Sequence, residues 1–301
     1  MKHLCTLSDS KYILQGLALI NSLKKHENED FTLYYLCMDN HIYDTLNRFN
    51  IKNVVVITES DLFQENPELK TTKHRIMQQS SSMYFWGMAA YFIGYLLRKY
   101  PIENVLYIDS DIYFYSDLST IYHEVGDKSC GIIKHRHNSV GNNDGGYNVG
   151  IIYFKNNEIG RAINKWWLNG VFKGENPEYA TCGDQKYLEG FAPNFGVQNI
   201  AIIDEITGHG APWNFRLYNY DQIEQGLIGY GPIMQKLVFN HFSRLNLSKL
   251  QNPWPTSFND FTSGQYAAHT LNFQVFLIPA VQKFYRQYAQ ELLLIKNELK
   301  P

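Results

Sequence analysis

Short apolar runs alternate with amphipathic stretches at the start of the chain. His3 to Leu7 and Phe31 to Met38 are nearly continuous apolar runs, the pattern of strands buried on both faces. Between them, Tyr12 to Lys25 sets Leu14, Leu17, Ala18, Ile20 and Leu23 on one helical face, with Ser8, Asp9 or Ser10 available as a cap. Ile42 to Phe49 predicts a short helix and Asn53 to Thr58 a third strand. Strand, helix, strand, helix, strand is the opening of a parallel sheet wound with helices. Ligands in such sheets bind beyond the carboxyl ends of the strands.

Glu59 to Gln79 is polar and weakly periodic, which predicts a short helix and a loop able to fold over a ligand. Ser82 to Tyr100 predicts an aromatic-rich helix, its rings expected in the core, ended by Pro101. Strands are predicted over Ser129 to Lys134 and Tyr147 to Phe154, separated by an Asn- and Gly-rich loop, with a helix over Glu158 to Phe172. A short helix opens at Gly183-Asp184-Gln185, and Val197 to Asp204 reads as a strand pair. Gly208 to Asn214 reads as a compact turn, its glycines permitting close backbone approach. A last strand, Leu237 to Phe242, precedes an irregular stretch over 252–264 and a helical tail from Tyr266 to Leu299, interrupted at Pro279. The reading is an α/β fold with a wound, mostly parallel sheet flanked by helices and a C-terminal helical tail. It divides the chain into a main domain, 1–262, and an extension, 263–301.

The run Val105-Leu106-Tyr107-Ile108-Asp109-Ser110-Asp111-Ile112-Tyr113-Phe114 stands out. It reads as one buried strand carrying two carboxylates. If the extended conformation persists, Asp109 and Asp111 face one side, roughly 6–7 Å apart. Two bare buried carboxylates are costly, and a divalent cation brought in by a phosphate ligand would offset them. A pair of capping or surface aspartates is the plainer alternative. A phosphatase of the haloacid dehalogenase type is excluded, because that motif belongs near the chain start with a small residue where Ile112 stands.

Composition narrows the class. The chain has 301 residues, a formal net charge of −2 and dispersed charges, against a nucleic-acid protein driven by bulk charge. The four cysteines, Cys5, Cys37, Cys130 and Cys182, form no CxxC pair and read as buried free thiols of a reducing compartment. The N-terminus meets polar residues too early for a signal peptide, and no apolar run reaches membrane-span length. A cytoplasmic protein with no transmembrane segment is expected.

Several segments in the same order resemble the GT-A glycosyltransferases, in particular glycosyltransferase family 8. Asp109-Ser110-Asp111 after Leu106-Tyr107-Ile108 resembles the family's metal motif. Cys5-Thr6-Leu7-Ser8-Asp9, with Tyr12 and Gly16-Leu17-Ala18-Leu19, resembles its nucleotide-binding first strand and helix. Tyr147-Asn148-Val149-Gly150 resembles its Asn-x-Gly strand, Gly183-Asp184-Gln185 its Asp-Gln segment, and Asn240-His241-Phe242 its late metal-binding His. The resemblance spans about residues 3 to 245.

It implies a GT-A fold and a metal-dependent hexosyltransferase that moves a sugar from a nucleotide diphosphate sugar, a UDP-sugar, to a hydroxyl of a carbohydrate or glycolipid acceptor. Asp111 and His241 are the implied direct metal ligands. Asp109 holds metal, ribose hydroxyls or both. Imidazole favours Mn²⁺ over Mg²⁺. Thr6, Ser8, Asp9 and Tyr12 are placed at base and ribose, with Ser110 beside them. Asn148, Asp184 and Gln185 are placed at the donor sugar, the last two as the catalytic pair; Asp184 equally suits a helix cap. Gly208, Trp213 and Asn214 are a candidate sugar-stacking segment, with packing of a turn the alternative for Trp213. Family membership implies retention of configuration; a carboxylate acting as base on the acceptor would give inversion. The tail suits packing or homodimerisation.

Family 8 members usually carry Arg or Lys in the helix before the acidic motif; this helix offers only Arg98 and Lys99, at its far end. Neutralisation of the diphosphate then falls to the metal with Lys73, Arg75, Arg136 or Arg244. Two other classes stay open. A sugar-phosphate nucleotidyltransferase needs a Gly-rich basic loop after the first strand, which Leu7-Ser8-Asp9-Ser10-Lys11 lacks. A catalytically silent sugar-nucleotide-binding module would keep the fold without turnover.

Overall fold

Apolar runs become strands and amphipathic stretches become helices throughout the computed structural model, which describes residues 1–137, 145–255, 257–268, 271 and 273–300. Side chains at 181, 182, 258, 260 and 273 are outside that description, so the thiol expected at Cys182 is not placed; neither is most of the Asn- and Gly-rich loop, 138–144. Cys5, Cys37 and Cys130 are free and buried.

The strands are β1 (Lys2–Ser8), β2 (Phe31–Cys37), β3 (Val54–Thr58), β4 (Asn104–Ile108), β5 (Ile112–Phe114), β6 (Cys130–Lys134), β7 (Tyr147–Lys155), β8 (Ile200–Ile203), β9 (Thr207–Gly210), β10 (Tyr218–Asn219), β11 (Leu227–Tyr230) and β12 (Ile233–His241). The helices are α1 (Ile13–His26), α2 (Asn40–Phe49), α3 (Glu59–Glu65), α4 (Glu68–Gln79), α5 (Ser81–Lys99), α6 (Ser119–Val125), α7 (Glu158–Lys173), α8 (Phe191–Phe195), α9 (Phe258–Ser263), α10 (Phe273–Phe276) and α11 (Pro279–Glu298). The chain packs as two units, one of residues 1–11, 29–110 and 121–204, the other of 12–28, 111–120 and 205–301.

The first unit holds a seven-stranded sheet in the order β3-β2-β1-β4-β7-β6-β8. It is parallel except at β7, which runs antiparallel to β4 and β6. Helix α5 buries Tyr84, Met88, Tyr91, Phe92, Tyr95 and Leu96, as its composition predicts, but Trp86 is exposed. Two glycines of α5 admit its neighbour α7: a side chain at Gly87 would overlap Phe172, and one at Gly94 would lie 2.5 Å from Asn164 Oδ1. The Asn164 amide donates to Ala90 O at 2.9 Å.

Helix α7 starts at the cap Asn157, whose Oδ1 accepts from Gly160 N at 2.7 Å, and stops at Gly174 in the left-handed region. Gly160 is wedged against backbone: a Cβ there would overlap Lys155 O and sit 3.0 Å from Ser129 O. Gly160→Ala is therefore expected to cost about 1–3 kcal/mol, the usual penalty of overpacking. Denaturant unfolding checks this, and an unchanged midpoint would refute it.

Residues 59–79 form two helices rather than one helix and a loop. Thr58 and Asp61 make a reciprocal capping box for α3. Leu62, Leu69 and Ile76, spaced by seven, are the buried anchors, which explains the weak periodicity. The Lys73 ammonium pairs with Glu59, which also accepts from Tyr84 OH at 2.6 Å, and Arg75 donates to Phe172 O at 2.8 Å. Both cations are thus engaged within the unit. The strand pair predicted over 197–204 is one strand, β8, preceded by a 3-10 turn at Val197–Asn199 that follows Gly196 at φ +86°.

The second unit holds the sheet β10-β11-β12-β5, with β9 parallel to β12. The predicted turn over 208–214 is in part this strand. A side chain at Gly208 would lie 2.8 Å from Lys236 O, so glycine lets β9 approach β12. Helix α1 has no side-chain cap; Asp9 Oδ1 accepts from Lys11 N at 3.0 Å across a 3-10 turn at Ser10–Tyr12. Pro279 begins α11 instead of interrupting a helix, because its fixed φ and missing N–H suit a first turn. The buried face of α11 is Val281, Phe284, Tyr285, Tyr288, Ala289, Leu292 and Ile295. Among the described residues no helix is long and apolar enough to cross a membrane.

Candidate functional site

The acidic run is not one strand. β4 stops at Ile108 and pairs in the first sheet, whereas β5 starts at Ile112 and pairs with β12 in the second. Asp109-Ser110-Asp111 is the turn that connects them, so the expected extended geometry is replaced by a bend demanded by two sheets. Asp109 N still donates to Gly150 O at 2.9 Å, and its Oδ1 accepts from Tyr107 OH at 2.8 Å. Ser110 and Asp111 are buried.

The β5–β12 ladder brings His241 opposite Ile112, and Phe242 N donates to Asp111 O at 2.9 Å. His241 Nε2 lies 3.0 Å from Asp111 Oδ1. Asp109 is tied to this pair through two peptide bonds. One ligand atom from each of Asp109, Asp111 and His241 falls within 4.8 Å of the others. Two carboxylates and an imidazole from opposite regions of the sequence form an O/O/N donor set suited to a divalent transition cation.

Aromatic rings brace the pair. Phe242 stacks on Tyr288 of α11 at 4.0 Å and meets Tyr285 edge-on at 5.0 Å; Tyr113 also contacts Tyr288. The Trp213 ring stands edge-on to His241 at 5.4 Å. Tyr285 and Tyr288 are neighbours of the candidate cluster that sequence reading missed, since tail aromatics carry no motif. The only signal was their spacing of three, which puts them on one helical face.

In the first unit, Asp184 is 4% exposed. Burial, and then the Asp109 carboxylate, push its pKa up to about 7. It does not act as a helix cap. Its carbonyl accepts from the Trp167 indole at 3.0 Å. Asn148 donates to Gln185 Oε1 at 2.9 Å and accepts from Gly150 N at 2.8 Å, so β7 fixes the amide of the Asp-Gln segment. Tyr107 links the same group: burial first, then Asp109, hold its hydroxyl protonated well above the usual range. Tyr107 was read from sequence only as an apolar strand residue.

The remaining predicted residues are placed as follows. Thr6 is fully buried within β1, Ser8 Oγ bonds Tyr35 OH at 2.7 Å, and Tyr12 is 39% exposed. Asn214 is buried and accepts from Ala211 N at 2.7 Å, which closes the turn that carries Trp213. Arg136 is buried and bonded to both the carboxylate and the carbonyl of Asp204, so it serves a structural ion pair. Arg244 is exposed, with φ +59°.

Comparison with known proteins identifies the family and the fold. A sequence profile for glycosyl transferase family 8 matches residues 3–187. The uncharacterized protein YfnD of Bacillus subtilis (strain 168) is 27% identical over 256 residues, 81% of this chain and 78% of that one. The uncharacterized protein YfnF of the same organism is 27% identical over 255 residues, 79% and 80% of the two chains. Among solved structures, the galactosyltransferase LgtC, in complex with donor and acceptor sugar analogues, superposes with a TM-score of 0.53 at 13% identity, covering 94% of this chain and 99% of that one. Mouse xyloside xylosyltransferase 1 gives 0.53 at 13% identity, covering 80% and 97%.

Proposed function

Because the chain belongs to glycosyl transferase family 8, and is thereby a glycosyltransferase of GT-A fold, we propose that it moves a hexose from a UDP-sugar to a hydroxyl of a carbohydrate or glycolipid acceptor. The observation that carries the donor class is the cluster of Asp109, Asp111 and His241. The donor set fits a divalent cation: two acceptor carboxylates supply the charge, and the single nitrogen favours Mn²⁺ over Mg²⁺. When bound, the cation neutralises charge on the departing diphosphate as a Lewis acid.

The chain's own residues supply the rest. Ser8, Asp9 and Tyr12, with Thr6 in the strand behind them, face base and ribose. Asn148 and Gln185, already bonded to one another, hold donor-sugar hydroxyls in a fixed orientation. Asp184 lies beneath the sugar as a catalytic group with Gln185. A carboxyl with a pKa raised to about 7 is suited to exchange a proton at neutral pH, so retention of configuration rests on the family membership and not on this shift. Trp213, whose ring stands edge-on to His241, is the sugar-stacking residue of its segment, which also carries Gly208 and Asn214.

A panel of nucleotide sugars with Mn²⁺, monitored for nucleoside diphosphate released by slow hydrolysis, tests this without knowledge of the acceptor. UDP is expected from one UDP-sugar, and chelation should abolish its release. Release from none of the panel, or release indifferent to chelation, would overturn the donor and metal assignments respectively.

A further inference from the structure

Four of the five tryptophans are engaged. Trp166 packs edge-on against Tyr179, Tyr187, Phe191 and Phe195. Trp167 donates to Asp184 O, Trp213 meets His241, and Trp254 stacks on Phe276. Trp86 differs. It projects from the first turns of α5 and is 42% exposed. Among the described residues no aromatic ring packs on it and nothing accepts from its indole N–H.

Its position is specific. The six-membered edge of the indole lies on Gly183: a Cβ there would sit 2.6 Å from Cε3 and 2.7 Å from Cζ3 of Trp86. Gly183 has φ +55° and ψ −124°, a conformation open in practice to glycine. Steric space and backbone thus both require glycine, and the absent side chain leaves the indole against the backbone that leads into Asp184 and Gln185. An uncovered aromatic face therefore adjoins a segment bearing a carboxyl and an amide. An apolar plane beside polar heads is the recognition chemistry of a sugar ring: its C–H face lies on the indole while its hydroxyls bond the amides. The helix has no cation in these turns, so it offers no comparable purchase to a phosphate.

We propose that Trp86 is the stacking platform for a pyranose ring at the Asp184–Gln185 subsite and so determines which sugar is accepted. The proposal rests on the glycosyltransferase reading of that site and adds a residue outside its motifs. The ring on the platform belongs either to the transferred sugar of the donor or to the acceptor.

Trp86→Ala and Trp86→Phe, made in the full chain, separate these sources. Calorimetric titrations with Mn²⁺ present use UDP and the intact UDP-sugar identified by the hydrolysis panel. If the donor ring stacks, Trp86→Ala weakens the intact donor about tenfold, leaves UDP binding unchanged, and Trp86→Phe recovers most of the loss. If the acceptor ring stacks, both affinities hold, and the KM for a free monosaccharide or disaccharide acceptor rises by a similar factor, again with recovery in Phe. Thermal melts should match wild type, since the side chain is exposed. Unchanged donor affinity together with unchanged acceptor KM would overturn the platform alone. Failure of the wild-type protein to bind any nucleotide sugar would overturn the reading of the site beneath it.

Discussion

Replacing Asp111 by Asn lowers release of nucleoside diphosphate by about 10²–10³-fold, the cost of deleting one preorganised group that supports developing charge. Asn keeps the shape of Asp and removes its charge. Asp111 is buried, 3.0 Å from His241 and braced through Phe242 and Tyr113 on Tyr288, so the variant has little room to compensate. Mn²⁺ affinity, read directly by paramagnetic resonance of the free ion, should fall with the rate. The metal-free fold should be little changed, because Asn keeps the volume of Asp and an accepting oxygen beside His241. Undiminished hydrolysis in Asp111→Asn would remove the metal from the mechanism.

Asp184→Asn is expected to separate stability from activity. The carboxyl of Asp184 has a folded pKa near 7, raised by burial and then by Asp109. In the unfolded chain it titrates near the ordinary value of about 4. Between these values the folded protein binds more protons than the unfolded one, so stability declines as pH rises from about 4 to about 7 and then levels off. In the presence of a chelator, the wild-type melting temperature should carry this decline, and Asn should lose that component of it. The stabilisation at pH 8 is on the order of a few kcal/mol at most. Turnover moves the other way, by about 10²-fold or more, because the group beneath the sugar no longer carries a titratable charge. Parallel wild-type and variant pH profiles of melting would contradict the raised pKa; normal turnover would remove Asp184 from the site.

Patterning made most of the first sheet legible. Strands such as Phe31–Cys37 are continuous apolar runs between amphipathic helices, and each signal is local. The second sheet was harder to see. Leu227–Tyr230 contains a glycine and carries no alternation, and it is a strand because β12 and β10 supply its partners. The turn at Asp109-Ser110-Asp111 was hidden for the same reason: apolar residues on both sides of it read as one strand until their partners, β7 and β12, prove to be in different sheets. That Asp109, Asp111 and His241 come together was legible because their motif positions are coupled to strand ends. Lys73 and Arg136 were legible as cations but not as cations already paired, since Glu59 and Asp204 are distant in sequence. Trp86 was hidden by its neighbours: in a helix dense with buried rings, only packing distinguishes the one turned outward.

The brace formed by Tyr285 and Tyr288 has a temporal side. A ribosome reads out both carboxylates more than a hundred and seventy residues before it reaches Tyr288, and His241 forty-seven residues before. The nascent polypeptide therefore carries Asp109, Asp111 and His241 before the Tyr288 ring that stacks on Phe242 exists.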